Sequence, residues 1–173
     1  MTKKFISILL SLVILVILFT FYKGLKLDVN YSTQNQIGKR VDNFKINSFD
    51  NKFLFSQEDL KKNDFSLINF WASWCSPCRE EHKILMQLKK DNNITIIGVN
   101  FKDNKKNASN YLDELGNPYD FLLTDNDGKQ SINFGIYGIP ESILVDNNLI
   151  ILKKYVGPLL AKDIKEIQTV IEK

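Results

Sequence analysis

The chain has two cysteines, Cys75 and Cys78, set in Trp74-Cys75-Ser76-Pro77-Cys78 between a dense apolar run (65–71) and a segment of helical spacing. A CxxC pair at a strand-to-helix junction can carry dithiol–disulfide chemistry. Cys75 would stand at the helix N-terminus, where unpaired N–H groups and the helix dipole favour a thiolate. Pro77 suits the first helical turn, where its missing N–H costs nothing. A thiolate at Cys75 can attack a substrate disulfide, and Cys78, one turn deeper, can resolve the mixed disulfide. No other cysteine competes for either role.

Other chemistries of the pair are weaker fits. A purely structural disulfide across so short a loop would stabilise by only about 2 kcal/mol. A zinc centre wants about four ligands, and Cys75, Cys78 and His82 make three. Covalent haem attachment requires a histidine directly after the second cysteine, where Arg79 stands. A peroxidase would place a hydroxyl residue three positions before its cysteine, and Ala72 is there. A binding module with a structural CxxC stays open as the non-catalytic rival.

The elements that must position this pair can be read around it. Residues 65–71 (FSLINFW) carry apolar side chains on both faces and read as a central strand covered on both sides. A helix is expected at about 76–91, with Ile84, Leu85 and Leu88 as its apolar stripe, and a second buried strand over 94–100. Upstream, 44–55 suggests a hairpin turning at Asp50-Asn51, and Ser56 with Asp59 suggests a short helix over 56–62. Downstream come a helix over 106–115 closed by Gly116, a strand at 121–124 and a short helix over 129–134. Strands at 142–146 and 150–156 are joined at Asn147-Asn148. A last helix covers 160–172, with Leu160, Ile164, Ile167 and Ile171 in phase. The pattern is a parallel crossover unit followed by an antiparallel end, so a mixed sheet with helices on both faces is expected.

Composition narrows the function classes. With 173 residues, 44% apolar and 25% charged, the chain is sized for one ordinary globular domain. Two cysteines exclude a disulfide-dense scaffold and a single histidine excludes a His-rich metal centre. Lys3 and Lys4 supply two of the three net positive charges; from residue 23 onward 21 basic residues face 20 acidic ones. Nothing in that balance points to nucleic acid. Residues 5–22 (FISILLSLVILVILFTFY) span roughly 27 Å as a helix, close to a bilayer core. Lysines ahead of the run favour a cytoplasmic N-terminus. A cleaved signal peptide is the competing reading, but no small-x-small site follows. The expected organisation is an anchor at 1–22, a linker at 23–36 and a folded domain over 37–173.

FWASWCSPC, CREEH, GVNFKDN, LGNPYD and YGIPES, in that order, resemble the membrane-anchored reductases of cytochrome c maturation, the CcmG/DsbE family of the thioredoxin superfamily. The resemblance covers roughly residues 37–170. It implies a thioredoxin fold with an N-terminal hairpin extension and an inserted element, preceded by a single transmembrane helix. It implies a single-pass inner-membrane location with the domain in the periplasm, and needs no cofactor or metal. The client would be a disulfide in apocytochrome c or its thiol chaperone, and the electron donor a membrane thiol transporter. Another extracytoplasmic client, such as a copper-site assembly pathway, is the nearest alternative.

By the same resemblance, Cys75 matches the nucleophile, Cys78 the resolving cysteine and Glu81 an acid of the active-site helix, with Cys75–Cys78 as the redox-active disulfide. Pro140 matches a cis-proline that would present the backbone of Ile139 to substrate, and Glu141 the acid after it. Taken alone, Glu141 reads as a solvated charge; beside the proline it would choose clients by charge. Trp74 is expected to offer an apolar docking surface, Trp71 to pack in the core, and His82 to lie at the surface or in packing. One position departs from ordinary thioredoxins: their buried Asp corresponds to Asn69, which cannot accept a proton at neutral pH. Glu81, three residues after Cys78, falls on the inward face and can take over that role, with burial raising its pKa. Glu80 points away.

Overall fold

The computed structural model describes residues 2–25, 36–90 and 93–172. Most of the expected linker, 26–35, lies outside the described residues. The chain divides into two units, Met1–Ser32 and Thr33–Lys173.

Among its described residues the first unit holds one helix, α1 (Thr2–Leu25). Its stretch Lys4–Gly24 is apolar and long enough to cross a membrane, with a mean hydropathy of 2.8. The side chains from Lys4 to Gly24 are exposed. Its hydroxyls turn back on the helix: Ser11 Oγ donates to the Ser7 carbonyl at 3.0 Å and Thr20 Oγ1 to the Ile17 carbonyl at 2.8 Å. Small hydroxyl residues are tolerated in such a run because their polar group is satisfied locally.

The second unit runs β1 (Lys45–Ser48), β2 (Leu54–Ser56), α2 (Gln57–Leu60), β3 (Phe65–Trp71), α3 (Ser76–Leu88), β4 (Thr95–Phe101), α4 (Lys105–Leu115), β5 (Phe121–Asp125), α5 (Lys129–Asn133), β6 (Glu141–Asp146), β7 (Ile151–Val156) and α6 (Ala161–Ile171). The strands form one mixed sheet in the order β2-β1-β5-β4-β3-β6-β7. β3 is central, parallel to β4 and antiparallel to β6. The N-terminal hairpin β1–β2 joins the sheet through β5. In chain order α4, β5 and α5 separate β4 from the β6–β7 hairpin, and β5 adds a further parallel strand beside β4.

Alternation along β3 sends Ile68 and Phe70 to one core, with Phe55, Ile97, Phe134 and Ile143. Leu67 and Trp71 go to the other, which also holds both cysteines, Leu85, Ile96, Leu144 and Ile167. Asn69 shares the face of Leu67 and Trp71 by the same period of two, so it lies beneath α3.

In the folded unit the element ends lie within two residues of the sequence reading, with one exception. α3 stops at Leu88, where Lys89 caps it, three residues short of the expected end. The β6–β7 hairpin turns at Asn147-Asn148 as expected, and its left-handed residue is Leu149, at φ 68°. Leu149 is fully buried, and Asp146 Oδ1 ties the turn by accepting the Asn148 and Ile150 N–H groups. Burial of a leucine side chain, about 2 kcal/mol, outweighs the backbone preference of an exposed asparagine.

Candidate active site

Cys75 is the N-cap of α3, and its sulfur accepts the Cys78 N–H at 3.2 Å. The helix starts there because Cys75 is extended while Pro77 fits the first turn. The two sulfurs are bonded, with Cα atoms 5.3 Å apart. Both residues are buried, and the Cys78 carbonyl accepts the Tyr111 hydroxyl at 3.1 Å. Trp74, beside the pair, is 59% exposed. Its indole N–H donates to the Lys102 carbonyl at 3.1 Å.

The buried stripe of α3 is Cys78, Glu81, His82, Leu85 and Leu88, with Ile84 beside it. Glu81 is carried inward by this period, as expected, whereas Glu80 is exposed. Glu81 Oε1 accepts Asn69 Nδ2 at 2.8 Å, and Oε2 accepts the Leu159 N–H at 2.8 Å. Burial pushes its carboxyl up to about 7, while the Leu159 and Asn69 hydrogen bonds hold it down. Both donors are neutral, so desolvation is the larger effect.

Asn69 sits at the centre of this cluster. It also donates to Ser142 Oγ at 3.0 Å, and its Oδ1 accepts the Tyr119 hydroxyl at 2.9 Å. Register explains the meeting: Asn69 is flanked by Ser142 on β6 and Gly98 on β4. Gly98 is required there, because a Cβ would stand 2.6 Å from the Tyr119 ring. Sequence reasoning found Asn69 and Glu81 but missed Ser142, Tyr119 and Leu159. A glycine inside an otherwise apolar strand was the one available signal for the close approach of Tyr119.

His82 takes the packing role. It is buried, its Nε2 lies 3.0 Å from the Gly116 carbonyl, and its ring meets Tyr111 edge-on. Burial pushes its pKa down. Trp71 is in the core, tilted against Tyr111 and stacked on Tyr119.

The Ile139–Pro140 peptide is cis, and the Pro140 carbonyl accepts the Gly157 N–H at 3.0 Å. Pairing of Phe70 with Glu141 puts Pro140 at the sheet end from which β3 runs on to Cys75. Ile139 packs against the core cluster that contains both cysteines. Glu141 departs from the expected solvent-facing charge. It is 3% exposed, its Oε1 accepts the Tyr137 and Gly138 N–H groups at 3.0 and 2.9 Å, and its Oε2 lies 2.9 Å from Lys154 Nζ. Lys154 Nζ also donates to the Gly135 carbonyl at 2.6 Å. A buried carboxylate needs such a partner, and the β6–β7 pairing brings Lys154 to it from β7.

The Redoxin family pattern matches residues 36–171. The chain is 48% identical over 105 residues to the thiol:disulfide interchange protein CycY of Rhizobium leguminosarum bv. viciae, covering 61% of this chain and 56% of that protein. It is 44% identical over 124 residues to DsbE of Escherichia coli K12, covering 71% and 66%. With DsbE of Allochromatium vinosum it shares 36% over 152 residues, covering 87% and 83%. The matched segment thus spans less than two thirds of the first two relatives. Among solved structures, a candidate DsbE of Chlorobium tepidum superposes with a TM-score of 0.66 at 24% identity, over 79% of this chain and 95% of that one. A thioredoxin-like protein of Aeropyrum pernix does so with 0.63 at 19% identity, over 75% and 88%. These likenesses establish a thioredoxin-like fold.

Proposed function

This chain belongs to the Redoxin family and, within it, to the DsbE type of thiol:disulfide interchange protein, and from that premise we propose that it is a membrane-anchored reductase of extracytoplasmic disulfides. The supporting observation is Cys75 as the cap of α3, its sulfur facing a backbone N–H. A thiolate at that position gains from the same donor and from the helix end.

In the reducing direction, the Cys75 thiolate attacks a substrate disulfide and releases one substrate thiolate, leaving a mixed disulfide. Cys78 loses its proton and attacks Cys75 Sγ, releasing the second substrate thiol and forming the Cys75–Cys78 disulfide. Two electrons pass to the substrate, and two protons end on its thiols. Glu81, one turn beyond Cys78, with its pKa raised to about 7, is the carboxylate suited to take the Cys78 proton, directly or through a water. A membrane thiol transporter would return the electrons. Trp74, Ile139 and Pro140 form the docking surface, the proline loop offering backbone to an extended polypeptide. Glu141 positions that loop from beneath through the 137–138 backbone.

The client we propose is apocytochrome c or the chaperone that holds its thiols, as the resemblance of CREEH and YGIPES implies. Residues 1–22 act as the anchor, 23–36 as the spacer and 37–173 as the periplasmic domain of an inner-membrane protein. The test is a Cys78→Ser full chain, expressed in a cell that makes c-type cytochromes. It should accumulate a mixed disulfide with that client in the carbonate-resistant membrane fraction, and Cys75→Ser should not. A trapped copper-assembly protein would move the client elsewhere, and no adduct at all would count against the exchange mechanism.

A further inference from the structure

The segment after β4 makes contacts with the active-site rim that the exchange chemistry does not use. Asp103 Oδ2 accepts the Ser73 N–H at 2.6 Å and Asn100 Nδ2 at 2.9 Å; Oδ1 accepts Ser73 Oγ at 2.8 Å and the Asn104 N–H at 2.7 Å. One residue earlier, the Lys102 carbonyl holds the Trp74 indole. Lys102 has φ 44°. Two other non-glycine residues among those described have positive φ, Asn51 and Leu149, and both lie in hairpin turns. Lys102 instead directly follows β4, a strand of the parallel core, and leads towards α4. A left-handed lysine costs on the order of 1 kcal/mol and persists where its surroundings hold it.

From these contacts we infer that Asp103 is a positioning residue for polypeptide substrates: with the Lys102 carbonyl it clamps Ser73-Trp74, so that the indole is a preset platform beside the disulfide. Four donors converge on one carboxylate, two of them from the residue directly before Trp74. Trp74 is left 59% exposed with its one polar atom satisfied within the protein. An immobilised aromatic face binds an apolar side chain with little loss of rotamer entropy on docking. Its occupant is the cysteine-bearing stretch of a client polypeptide, because the platform adjoins the residue that attacks it. A small disulfide has no side chain to seat there.

This inference rests on the dithiol reading, and the experiment separates the two. The reduced full chain in detergent is assayed in single turnover against excess substrate, with KM and kcat read as the half-saturating concentration and the limiting rate, on two substrates: a disulfide-bonded peptide of about ten residues, and hydroxyethyl disulfide. Asp103→Asn keeps an acceptor for Ser73 but loses about half of the convergence, since an amide nitrogen cannot accept. It should raise KM for the peptide about fivefold with kcat little changed, and alter the hydroxyethyl disulfide rate by less than about twofold. Exchange of the Trp74 indole N–H should quicken about tenfold while that of Trp71 stays slow. Asp103→Ala should give the larger KM effect; if it does not fold, the asparagine variant carries the test. Trp74→Ala should reproduce the KM rise, and the double variant with Asp103→Asn should be no worse than Trp74→Ala alone. Equal losses on both substrates, or an unchanged peptide KM with faster indole exchange, would overturn the inference. A wild-type chain inert toward hydroxyethyl disulfide would overturn the dithiol reading, and the inference with it.

Discussion

Glu81 and Glu141 are both buried carboxylates of the same domain, 1% and 3% exposed, yet their surroundings differ. Glu81 meets only neutral donors, an asparagine amide and a backbone N–H. Glu141 meets two backbone N–H groups and the Lys154 ammonium. Neutral donors compensate only part of the cost of burying a charge, so Glu81 is displaced into the range where a proton can be exchanged. An opposite charge matches the other carboxylate, whose use is to hold backbone. Residue type and depth alone therefore do not assign a role to a buried acid; the partner does.

The largest effect should come from separating the charged pair. Lys154→Met leaves Glu141 buried without its cation and should lower the unfolding free energy by about 4 kcal/mol. Adding Glu141→Gln should restore most of it, because the amide oxygen can still accept from Tyr137 and Gly138. Denaturant unfolding at neutral pH measures both, and a loss below about 1 kcal/mol for the single variant would break the contrast.

The other carboxylate should show itself through pH. Its folded pKa, about 7, lies above the ordinary 4.5, so the folded state holds this proton more tightly than the unfolded chain. The linkage sign follows: stability contributed at this site is greatest below pH 4.5 and falls as pH rises through about 7. The total fall is at most about 3 kcal/mol. The stability difference between wild type and Glu81→Gln should therefore shift in favour of the variant between pH 5 and pH 8 by that order. A difference independent of pH would mean that Glu81 does not titrate in this window.

The smallest effect is kinetic. Glu81→Gln should slow resolution of the mixed disulfide about tenfold, and the exposed neighbour Glu80→Gln should leave it unchanged. Stopped-flow release of the second substrate thiol reads this directly. A larger effect from Glu80 would reassign the proton acceptor.

Much of this was legible along the chain. The stripe from Cys78 to Leu88 places Glu81 inward without any long-range information, whereas Asn69 was pointed to by the family resemblance and not by the pattern of 65–71. The CxxC spacing, the helix start at Cys75 and the hairpin at Asp50-Asn51 are likewise local. The left-handed backbone of Leu149 was not legible because burial of its side chain in the domain core decided it. Glu141 was misplaced because a Pro-Glu pair at a strand start looks the same whether the acid faces solvent or a lysine thirteen residues later.

Local sequence thus determined which elements form, which faces they bury, and that two thiols would share one helical turn, because backbone sterics and side-chain period act over a few residues. Tertiary structure alone decided who meets whom. Parallel pairing with β4 put Gly98 beside Asn69 and opened the space for Tyr119; antiparallel pairing with β6 supplied Ser142, and β7 delivered Lys154 to Glu141. The electrostatics of a buried group depend on atoms within a few ångströms of it, and around Asn69 and Glu81 those atoms come from other strands, helices and loops, 12 to 78 residues away along the chain.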